Sequence, residues 1–439
     1  MDTTEIKQMI SNNIMNLFQI FVVTICFIIN LIDGFGVLSI AFAAPSISEQ
    51  FSLDPKQLGQ LFSAGFIGMV TGALLISPLA DKLGRRFVIL CCLFILATGM
   101  FASGFASSYS VLLISRIYSG LGMGAILPAI NTVVEEYSSN RHRSLVISVV
   151  TSGYTAGILV GGMVSIYIIK LFGWQYIFYS GSFLACTMFV IAFFRLPESL
   201  DFILLKGKRD EKGLIKLNRL LNKLNIPQCH TFPESSIISG KKHNTLKLLF
   251  SGDMLKPTLL LCTSTFMLMC SFYFLASWMP KILVGLGYST DISISISIVM
   301  NLLAIIGGIL LGWLSKKYTL RIVTAIMLAL GFVMVTVTGL SPNNLPILFA
   351  LLAFTGFTVF GAMPGLYAMA PEVFPPEVRA TGTGIVAGIA RLGAALGPYL
   401  AGLLIAANTP RAIYFFLLAL PLLVAAISIF LVKSREPTT

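Results

Sequence analysis

Gly72-Ala-Leu-Leu-Ile-Ser-Pro-Leu-Ala-Asp-Lys-Leu-Gly-Arg-Arg86 is the stretch of this chain that decides its fold. An apolar run ends here in a short loop that carries one acidic and three basic side chains. The stretch aligns with residues 307–321, which lie 235 positions further along the chain. The later copy is degraded, because Lys316 stands where the first copy has Asp81. Two copies of one apolar-to-basic junction indicate that the chain is built from two related halves.

Three further landmarks recur in the same order and at nearly the same spacing. They are Pro45 with Pro280, the acid-to-base segments 136–143 and 372–379, and the small-residue segments 153–162 and 393–402. Four markers in one order predict that a six-helix unit was duplicated. Two such units with the same orientation are related by an axis along the membrane normal, and the substrate binds between them near the midplane.

The composition places the chain in lipid rather than in water. Of the 439 residues, 56% are hydrophobic and 11% are charged, and the mean hydropathy is +0.89. A soluble domain carries about 25% charged residues, so this chain cannot cover its surface for water. Residues 1–16 are polar and the apolar run after them is too long for a signal-peptide core, so we expect no cleaved signal peptide.

Twelve runs are long and apolar enough to cross a bilayer, which takes about 20 residues each. We therefore predict an all-α membrane protein with twelve transmembrane helices in two six-helix halves. The predicted division is a first half over 1–194, a linker over 195–256 and a second half over 257–439. The predicted helices cover residues 17–43, 57–80, 86–106, 110–134, 144–168, 174–194, 257–282, 290–314, 321–341, 345–370, 380–404 and 411–432.

The spans contain no histidine and no metal-binding pattern. His142, His230 and His243 lie in loops without the spacing of metal ligands. The seven cysteines include no Cys-x-x-Cys pair, and six of them lie in apolar runs, which is typical of buried packing residues. We therefore expect neither an enzyme nor a bound metal or cofactor.

Lysine and arginine are distributed unequally between the two sides of the predicted helices. The side that holds both termini carries several times more of them, including eleven from Arg195 to Lys247. The other side has only Lys56, Lys170, Lys281 and Arg411. Basic loops face the cytoplasm, so we expect cytoplasmic termini and a multi-pass protein of the inner (plasma) membrane. The net charge of +12 is then a signal of topology, and no nucleic-acid partner is expected.

The linker contains a basic amphipathic segment. Four leucines at helical spacing lie among four basic residues: Leu217, Leu220, Leu221 and Leu224 among Lys212, Lys216, Arg219 and Lys223. The pattern predicts a helix that lies at the inner face of the membrane or serves only as a linker. Residues 227–244 are predicted to form an irregular connector.

These features resemble the major facilitator superfamily. The loop from Asp81 to Arg86 is similar to the superfamily's signature between its second and third helices. The resemblance implies the major facilitator fold. We expect Asp81, Arg85 and Arg86 to hold helix ends together across the cytoplasmic face when the transporter opens outward. The alternative is a solvated turn that only fixes the topology.

Within the superfamily, the chain resembles the aromatic acid–proton symporters. The similar segments are Asp33-Gly-Phe35, Ala43-Ala-Pro45, Arg116 with Gly120-Leu-Gly-Met-Gly124, Pro128, Glu135-Glu136, Ala380-Thr-Gly-Thr-Gly384, Arg391 and Gly397-Pro398. The segment Leu196-Pro-Glu-Ser199 is shared with the wider sugar and organic-ion branches. The family pattern has a second aspartate three residues after the first, whereas this chain has Gly36 there. The substrate and the details of proton coupling therefore do not transfer directly from the family.

Three charged side chains lie inside predicted spans, namely Asp33, Arg116 and Arg391. Each costs at least about 2.5 kcal/mol inside a membrane, so each is a functional candidate. We expect Asp33 to take up the proton and an arginine to bind a substrate carboxylate through two parallel hydrogen bonds. Both arginines are candidates. The alternatives are a static Asp33–Arg116 pair that locks helix packing and an Arg391 that bonds backbone carbonyls.

Ion pairs and aromatic rings complete the predicted sites. The repeated spacing of Glu136 with Arg143 and of Glu372 with Arg379 predicts ion pairs between helices at a cytoplasmic gate. Glu136 is also a secondary candidate for proton transfer. Aromatic rings near the midplane suit a flat substrate, although each ring is alternatively a packing residue. The candidates are Phe35, Tyr154, Tyr273, Phe274 and Trp278.

The expected function is secondary transport by a monomer that imports a small organic anion, such as an aromatic carboxylate, together with protons. The alternative is a proton-coupled antiporter that exports drugs or metabolites. That branch has a proline in the glycine-rich motif of its fifth helix, where this chain has Ile158. A membrane sensor or scaffold is disfavoured, because the chain has no long signalling domain on the cytoplasmic side.

Overall fold

The computed structural model describes residues 3–12, 15–140, 142–206, 211–233 and 248–432. Eight residues that contribute to the predicted charge asymmetry lie outside these ranges, namely Arg141, Lys208, Arg209, Lys241, Lys242, Lys247, Lys433 and Arg435. Residues 227–233 are irregular, as predicted, and the rest of the predicted connector also lies outside the described residues.

Twelve helices of the described chain are long and apolar enough to cross a membrane, as the sequence predicts. The first six are α2 (Leu17–Gln50), α3 (Pro55–Leu75), α5 (Arg85–Gly104), α6 (Tyr109–Tyr137), α7 (Arg143–Phe172) and α8 (Gln175–Arg195). The last six are α11 (Leu255–Gly285), α12 (Thr290–Leu314), α13 (Leu320–Leu340), α14 (Leu345–Thr355) continued by α15 (Met363–Val373), α16 (Pro376–Ala406) and α17 (Arg411–Leu431). The shorter helices are α1 (Thr3–Asn12), α4 (Leu79–Leu83), α9 (Leu200–Lys206) and α10 (Glu211–Lys223).

The first spanning helix is longer than predicted. It passes Pro45 and ends at Gln50, because the residues after the proline, such as Ile47, remain buried and keep the turn packed. At its start Asn16 and Gln19 form a reciprocal capping box, in which each side chain accepts from the other's backbone N–H at 3.0 and 2.9 Å.

The tenth span is interrupted rather than continuous. A π-helical turn at Gly356–Phe360 separates α14 from α15. π-Helical turns are rare in proteins, but those that do occur are frequently found at functional sites. The interruption changes the direction in which the side chains of α15 point relative to those of α14. One side chain of α15, Tyr367, faces the centre of the protein.

The predicted repeat is visible in the way glycines pack. A Cβ atom at Gly157 of α7 would collide with the backbone of Leu31 on α2. A Cβ atom at Gly397 of α16 would collide in the same way with the backbone of Cys270 on α11. Small residues at these crossings bring the helix backbones into direct contact. The same helix pair is therefore built twice, once in each set of six helices.

The two sets of six helices meet mainly through α3 with α16, α7 with α12, and α2 with α11. We call the side where α2 begins and α17 ends the terminal face, and the other side the opposite face. Near the opposite face, Ser63 of α3 donates to the Ala395 carbonyl at 2.6 Å. A Cβ atom at Gly402 of α16 would lie 3.0 Å from the Cα of Gly59. The protein is therefore closed toward the opposite face.

The linker helix α10 forms as predicted, but its apolar side does not face lipid. Its leucines are buried within the protein, and so are Ile6 and Ile10 of α1, which belong to the same apolar cluster. Lys223 of α10 accepts a hydrogen bond on its carbonyl from Asn16 at 2.8 Å, which ties the linker to the start of α2. This burial argues against a helix whose apolar side lies on the membrane surface, and it agrees with the alternative, a linker helix.

Candidate substrate site and terminal-face network

Asp33 lies in the first spanning helix and is only 2% exposed. Its Oδ1 atom is buried and has no hydrogen-bond partner among the described residues. The charge that acts on it is the guanidinium of Arg391, which attracts the carboxylate from α16. The structure therefore brings together an acid from the first set of helices and a base from the second.

Arg391 is partly exposed, unlike Asp33. Gly384 and Gly388 precede it by seven and three residues, so all three fall on one side of α16. A Cβ atom at either glycine would meet no atom within 4 Å, which shows open space along this side. These glycines therefore leave room beside the guanidinium of Arg391.

Tyrosine hydroxyls lie close to this charged pair. Tyr154 on α7 and Tyr273 on α11 share a hydrogen bond of 3.1 Å that joins the two sets of helices. Both tyrosines lie within electrostatic range of Asp33, and Tyr273 is also within range of Arg391. Tyr367 on α15 is a third member, within range of Arg391, Tyr154 and Tyr273.

Aromatic rings continue from Tyr273 in two directions. The ring of Phe66 on α3 lies 4.4 Å from that of Tyr273, centroid to centroid. Phe272 lies 4.8 Å from Tyr273 on the other side and 4.1 Å from Phe360 of the π-helical turn. These rings form a wall that reaches from the first set of helices to the interrupted tenth span.

Arg116 is placed differently from Arg391. It is 2% exposed inside the first set of helices, where its Nη2 donates to the Gly36 carbonyl at 3.1 Å. Its guanidinium carbon lies 5.7 Å from the centre of the Phe178 ring. The alternative of a static pair with Asp33 is therefore not observed, and Arg116 binds the backbone about one turn further along the same helix instead. Its Nε and Nη1 atoms are buried without a partner among the described residues.

The position where the family pattern has a second aspartate points into apolar packing. A Cβ atom at Gly36 would lie 2.8 Å from the end of Met123 and 3.7 Å from Leu96. The carbonyl of Gly36 is occupied by Arg116 and by Ser39, whose hydroxyl donates at 2.8 Å. Gly36 therefore supplies its backbone, rather than a side chain, to Arg116.

Two predicted aromatic candidates lie away from the charged pair. The ring of Phe35 packs where a Cβ atom of Gly161 or Gly181 would stand, which places it inside the first set of helices. Trp278 is buried, donates from its indole N–H to the Pro398 carbonyl at 2.9 Å and packs edge-on against Phe62. The structure thus uses Phe35 for packing and Trp278 at the closed contact near the opposite face. Phe274 likewise packs, edge-on against Phe415.

The predicted gate residues of the signature loop interact with the first set of helices and with the start of the linker. Arg85 binds Asp81 at 2.9 Å. The backbone N–H of Arg86 donates to Glu198 Oε1 at 3.0 Å, and its guanidinium donates to the Phe193 carbonyl. Asp81, Arg85, Ser77 and neighbouring residues of α6 also line a cavity of about 180 Å³.

The residues predicted to form ion pairs between helix ends bind other partners instead. Arg143 lies 3.6 Å from Glu135 rather than from Glu136. Glu136 accepts hydrogen bonds of 2.6 and 2.8 Å from Ser199, at the start of α9. Adjacent helical residues point about 100° apart, so the two glutamates reach different neighbours.

The second copy of this acid–base segment has no ion pair in the described structure. Glu372 is exposed, and Arg379 donates from Nε to the carbonyl of Phe374 at 3.3 Å. The repeated spacing is therefore not matched by a repeated ion pair.

The sequence model of the Major Facilitator Superfamily matches residues 26–341 and 261–439, which together cover nearly the whole chain. The chain belongs to the major facilitator superfamily. Its curated relatives are transporters. The 4-hydroxybenzoate transporter PcaK of Acinetobacter baylyi is 30% identical over 95% of this chain and 91% of its own length. The gallate transporter of Pseudomonas putida is 30% identical over 97% and 94%. This superfamily member is therefore a multi-pass transporter, in the branch of the aromatic acid transporters, and not an enzyme.

Solved structures share the fold of this transporter. A bacterial homologue of the human lysosomal transporter Spinster, inward-facing and unoccupied, superimposes with a TM-score of 0.75 at 17% identity, over 96% of this chain and 100% of its own. The D-xylose–proton symporter gives 0.69 at 18% identity, over 94% and 97%. Both confirm the twelve-helix fold of the superfamily.

Two residues of this transporter were not singled out by sequence reasoning. Glu198 accepts from the backbone of Arg86 and of Ser199, at 3.0 and 2.9 Å, and so joins the signature loop to the linker. Its signal was present, since it belongs to the quoted segment Leu196–Ser199. Tyr367 had no signal, because only the packing of α15 brings it near Arg391.

Proposed function

We propose that this transporter imports small aromatic carboxylates together with protons across the inner membrane, with both termini in the cytoplasm. The observation that carries the proposal is the placement of Asp33 and Arg391. They are opposite charges inside the membrane on different sets of helices, and they attract each other without forming an ion pair within 4.0 Å. Relatives named for 4-hydroxybenzoate, benzoate and gallate support the substrate class.

Arg391 is the arginine we assign to the substrate. A guanidinium can donate two parallel hydrogen bonds to one carboxylate, and open space lies beside Arg391. Arg116 is buried and bound to the Gly36 carbonyl, so we assign it to holding α2 against α6. Phe35 and Trp278 are left out of the proposed site for the same reason, since both are already packed.

Coupling to protons follows from the attraction between Asp33 and Arg391. A carboxylate in an apolar setting is favoured as the anion only while a positive charge is near it. When a substrate anion neutralises Arg391, the attraction on Asp33 weakens and Asp33 takes up a proton. Loading the anion and loading the proton then favour one another. We assign Glu136 to the contact between α6 and the linker at the terminal face, rather than to proton transfer, because Ser199 already binds it.

The substrate ring has two surfaces to lie against. Tyr273 and its neighbours offer aromatic faces, on which a flat ring gains area burial and favourable ring contacts. Gly384 and Gly388 offer a side of α16 without side chains. We therefore expect a planar aromatic acid to bind better than a branched or bulky anion.

Alternating access in the proposed cycle is a rocking of residues 1–194 against residues 257–439, within a monomer. The contact between α3 and α16 closes the opposite face in the state described here. We propose that the terminal face closes in the other state. The basic and acidic residues of this face would then hold the helix ends together, namely Asp81, Arg85, Arg86, Arg143, Glu372 and Arg379.

A thermal-shift panel on the purified protein tests the substrate class. The panel contains benzoate-like acids, aliphatic dicarboxylates and cationic drugs. A ligand present at about 100 times its Kd stabilises the native state by about 2.7 kcal/mol, so binding is visible as a raised Tm. We expect the aromatic acids alone to raise it. A shift with the cationic drugs and none with any acid would favour the antiporter instead.

A further inference from the structure

The hydroxyls of Tyr154, Tyr273 and Tyr367 form a polar cluster beside Arg391. Tyr154 and Tyr273 are bonded to each other at 3.1 Å across the boundary between the two sets of helices. Tyr273 is 8% exposed, and its ring is fixed between Phe66 and Phe272. The cluster is thus held in place by aromatic packing before any ligand arrives.

Donors in this cluster remain unused. One hydroxyl of the Tyr154–Tyr273 pair donates and the other accepts, so the accepting hydroxyl keeps its own O–H free. Tyr367 and Arg391 form no hydrogen bond within the described part of the chain, although each lies within electrostatic range of the other. Several donors without an acceptor in the described chain therefore lie around one cation, an arrangement that suits an anionic acceptor.

We infer that Tyr273 and Tyr367 donate hydrogen bonds to the substrate carboxylate together with Arg391. They recognise the carboxylate rather than the substituents of the ring. The inference rests on the proposed function and names the residues that select its substrate. In this arrangement Tyr154 is a positioning residue: it takes the donor role in the bond that it shares with Tyr273, which leaves the O–H of Tyr273 for the anion. A carboxylate has room for these bonds, since its two oxygens accept about four.

The chain of hydroxyls also couples the two sets of helices to the substrate. The bond from Tyr154 to Tyr273 becomes stronger when Tyr273 donates to an anion, because hydrogen bonds in a chain polarise one another. An occupied site therefore strengthens a contact between α7 and α11, and a neutral ligand without a carboxylate would not.

Binding of benzoate and 4-hydroxybenzoate to the purified full chain, measured by calorimetry, tests the inference. The two acids share the carboxylate and differ only in the ring hydroxyl. Loss of a hydrogen bond to a charged group weakens binding by about 10- to 100-fold, so we expect Tyr273→Phe and Tyr367→Phe each to lose that much for both acids alike. Tyr154→Phe should lose less. Tyr414→Phe is the matched control, since Tyr414 is as buried as Tyr273 but packs against Phe415 in α17.

The possible outcomes separate the inference from the function on which it rests. A loss confined to 4-hydroxybenzoate would show that the tyrosines read the ring hydroxyl and would overturn the inference, as would unchanged binding of both acids. Wild-type protein that binds neither these acids nor any other aromatic acid would overturn the proposed function itself. Tyr367→Phe should fold normally, because the hydroxyl of Tyr367 bonds no described residue. Its melting temperature without ligand should therefore equal that of the wild type.

Discussion

Asp33 and Arg391 attract each other across the boundary between the first six and the last six membrane helices. The carboxylate is almost completely buried, and the guanidinium is partly exposed beside open space. Opposite charges on the two sets of helices are sensitive to any anion that binds between them. In the proposed transport cycle, this pair connects substrate, proton and conformation.

Replacing Asp33 by Asn should separate transport from proton coupling. The amide has the same shape but cannot take up a proton, so accumulation of substrate against its gradient should fall to the equilibrium level. Exchange of labelled for unlabelled substrate should continue, because Arg391 is intact. Both are measured on one preparation of proteoliposomes. Normal accumulation by Asp33→Asn would rule out Asp33 as the coupling site.

Replacing Arg391 by Lys should weaken substrate binding by about 10-fold or more. Lysine keeps the charge but cannot form two parallel hydrogen bonds with a carboxylate. The matched variant is Arg116→Lys, which changes the other arginine inside the membrane in the same way. We expect it to lower the melting temperature, because the bond to the Gly36 carbonyl is altered, while leaving the Kd within about threefold. Weaker binding by Arg116→Lys with unchanged binding by Arg391→Lys would show that Arg116, rather than Arg391, binds the substrate.

Replacing Gly402 by Val should open the closed contact near the opposite face. Even a Cβ atom there would lie 2.6 Å from the Pro55 carbonyl oxygen and 3.0 Å from Gly59, both of which are backbone and cannot move aside alone. A cysteine introduced at Ser63, in a background without the native cysteines, should then react faster with an impermeant maleimide added from that side. Gly312→Ala is the control, since it has open space around it. An unchanged rate would show that this crossing does not close the pathway.

Replacing Gly84 by Ala should destabilise the signature loop. Gly84 has a φ of +101°, and a Cβ atom there would lie on the carboxylate of Glu198. Backbone strain of this kind costs about 1–3 kcal/mol, before the displaced bond from Arg86 to Glu198 is counted. The melting temperature should fall relative to Gly312→Ala. Equal melting of the two variants would show that the junction of loop and linker carries no stability.

The sequence was sufficient for the architecture because membrane spans are set by length and hydropathy. All twelve predicted spans are present, although the first is longer than predicted and the tenth is interrupted, and Gly157 and Gly397 make equivalent contacts in the two sets of helices. The amphipathic pattern of α10 also predicted a helix. It could not indicate that the leucines pack inside the protein, since lipid and protein interior favour the same residues.

Side-chain partners were less predictable than helices. Depth in the membrane can be read from position in a span, and it left a static Asp33–Arg116 pair as an alternative. Direction around the helix decides the partner, and here Arg116 turns to a carbonyl while Arg391 faces the acid. Glu135 and Glu136 show the same effect at a helix end, since one residue of rotation gives them different partners.

Uptake of labelled benzoate, 4-hydroxybenzoate and gallate into proteoliposomes under an inward proton gradient tests the central claim most directly. We predict uptake of at least one of these acids well above that of protein-free liposomes, and its loss when a protonophore removes the gradient. Uptake equal to that of protein-free liposomes for every acid, or uptake that ignores the proton gradient, would contradict the account of a proton-coupled importer.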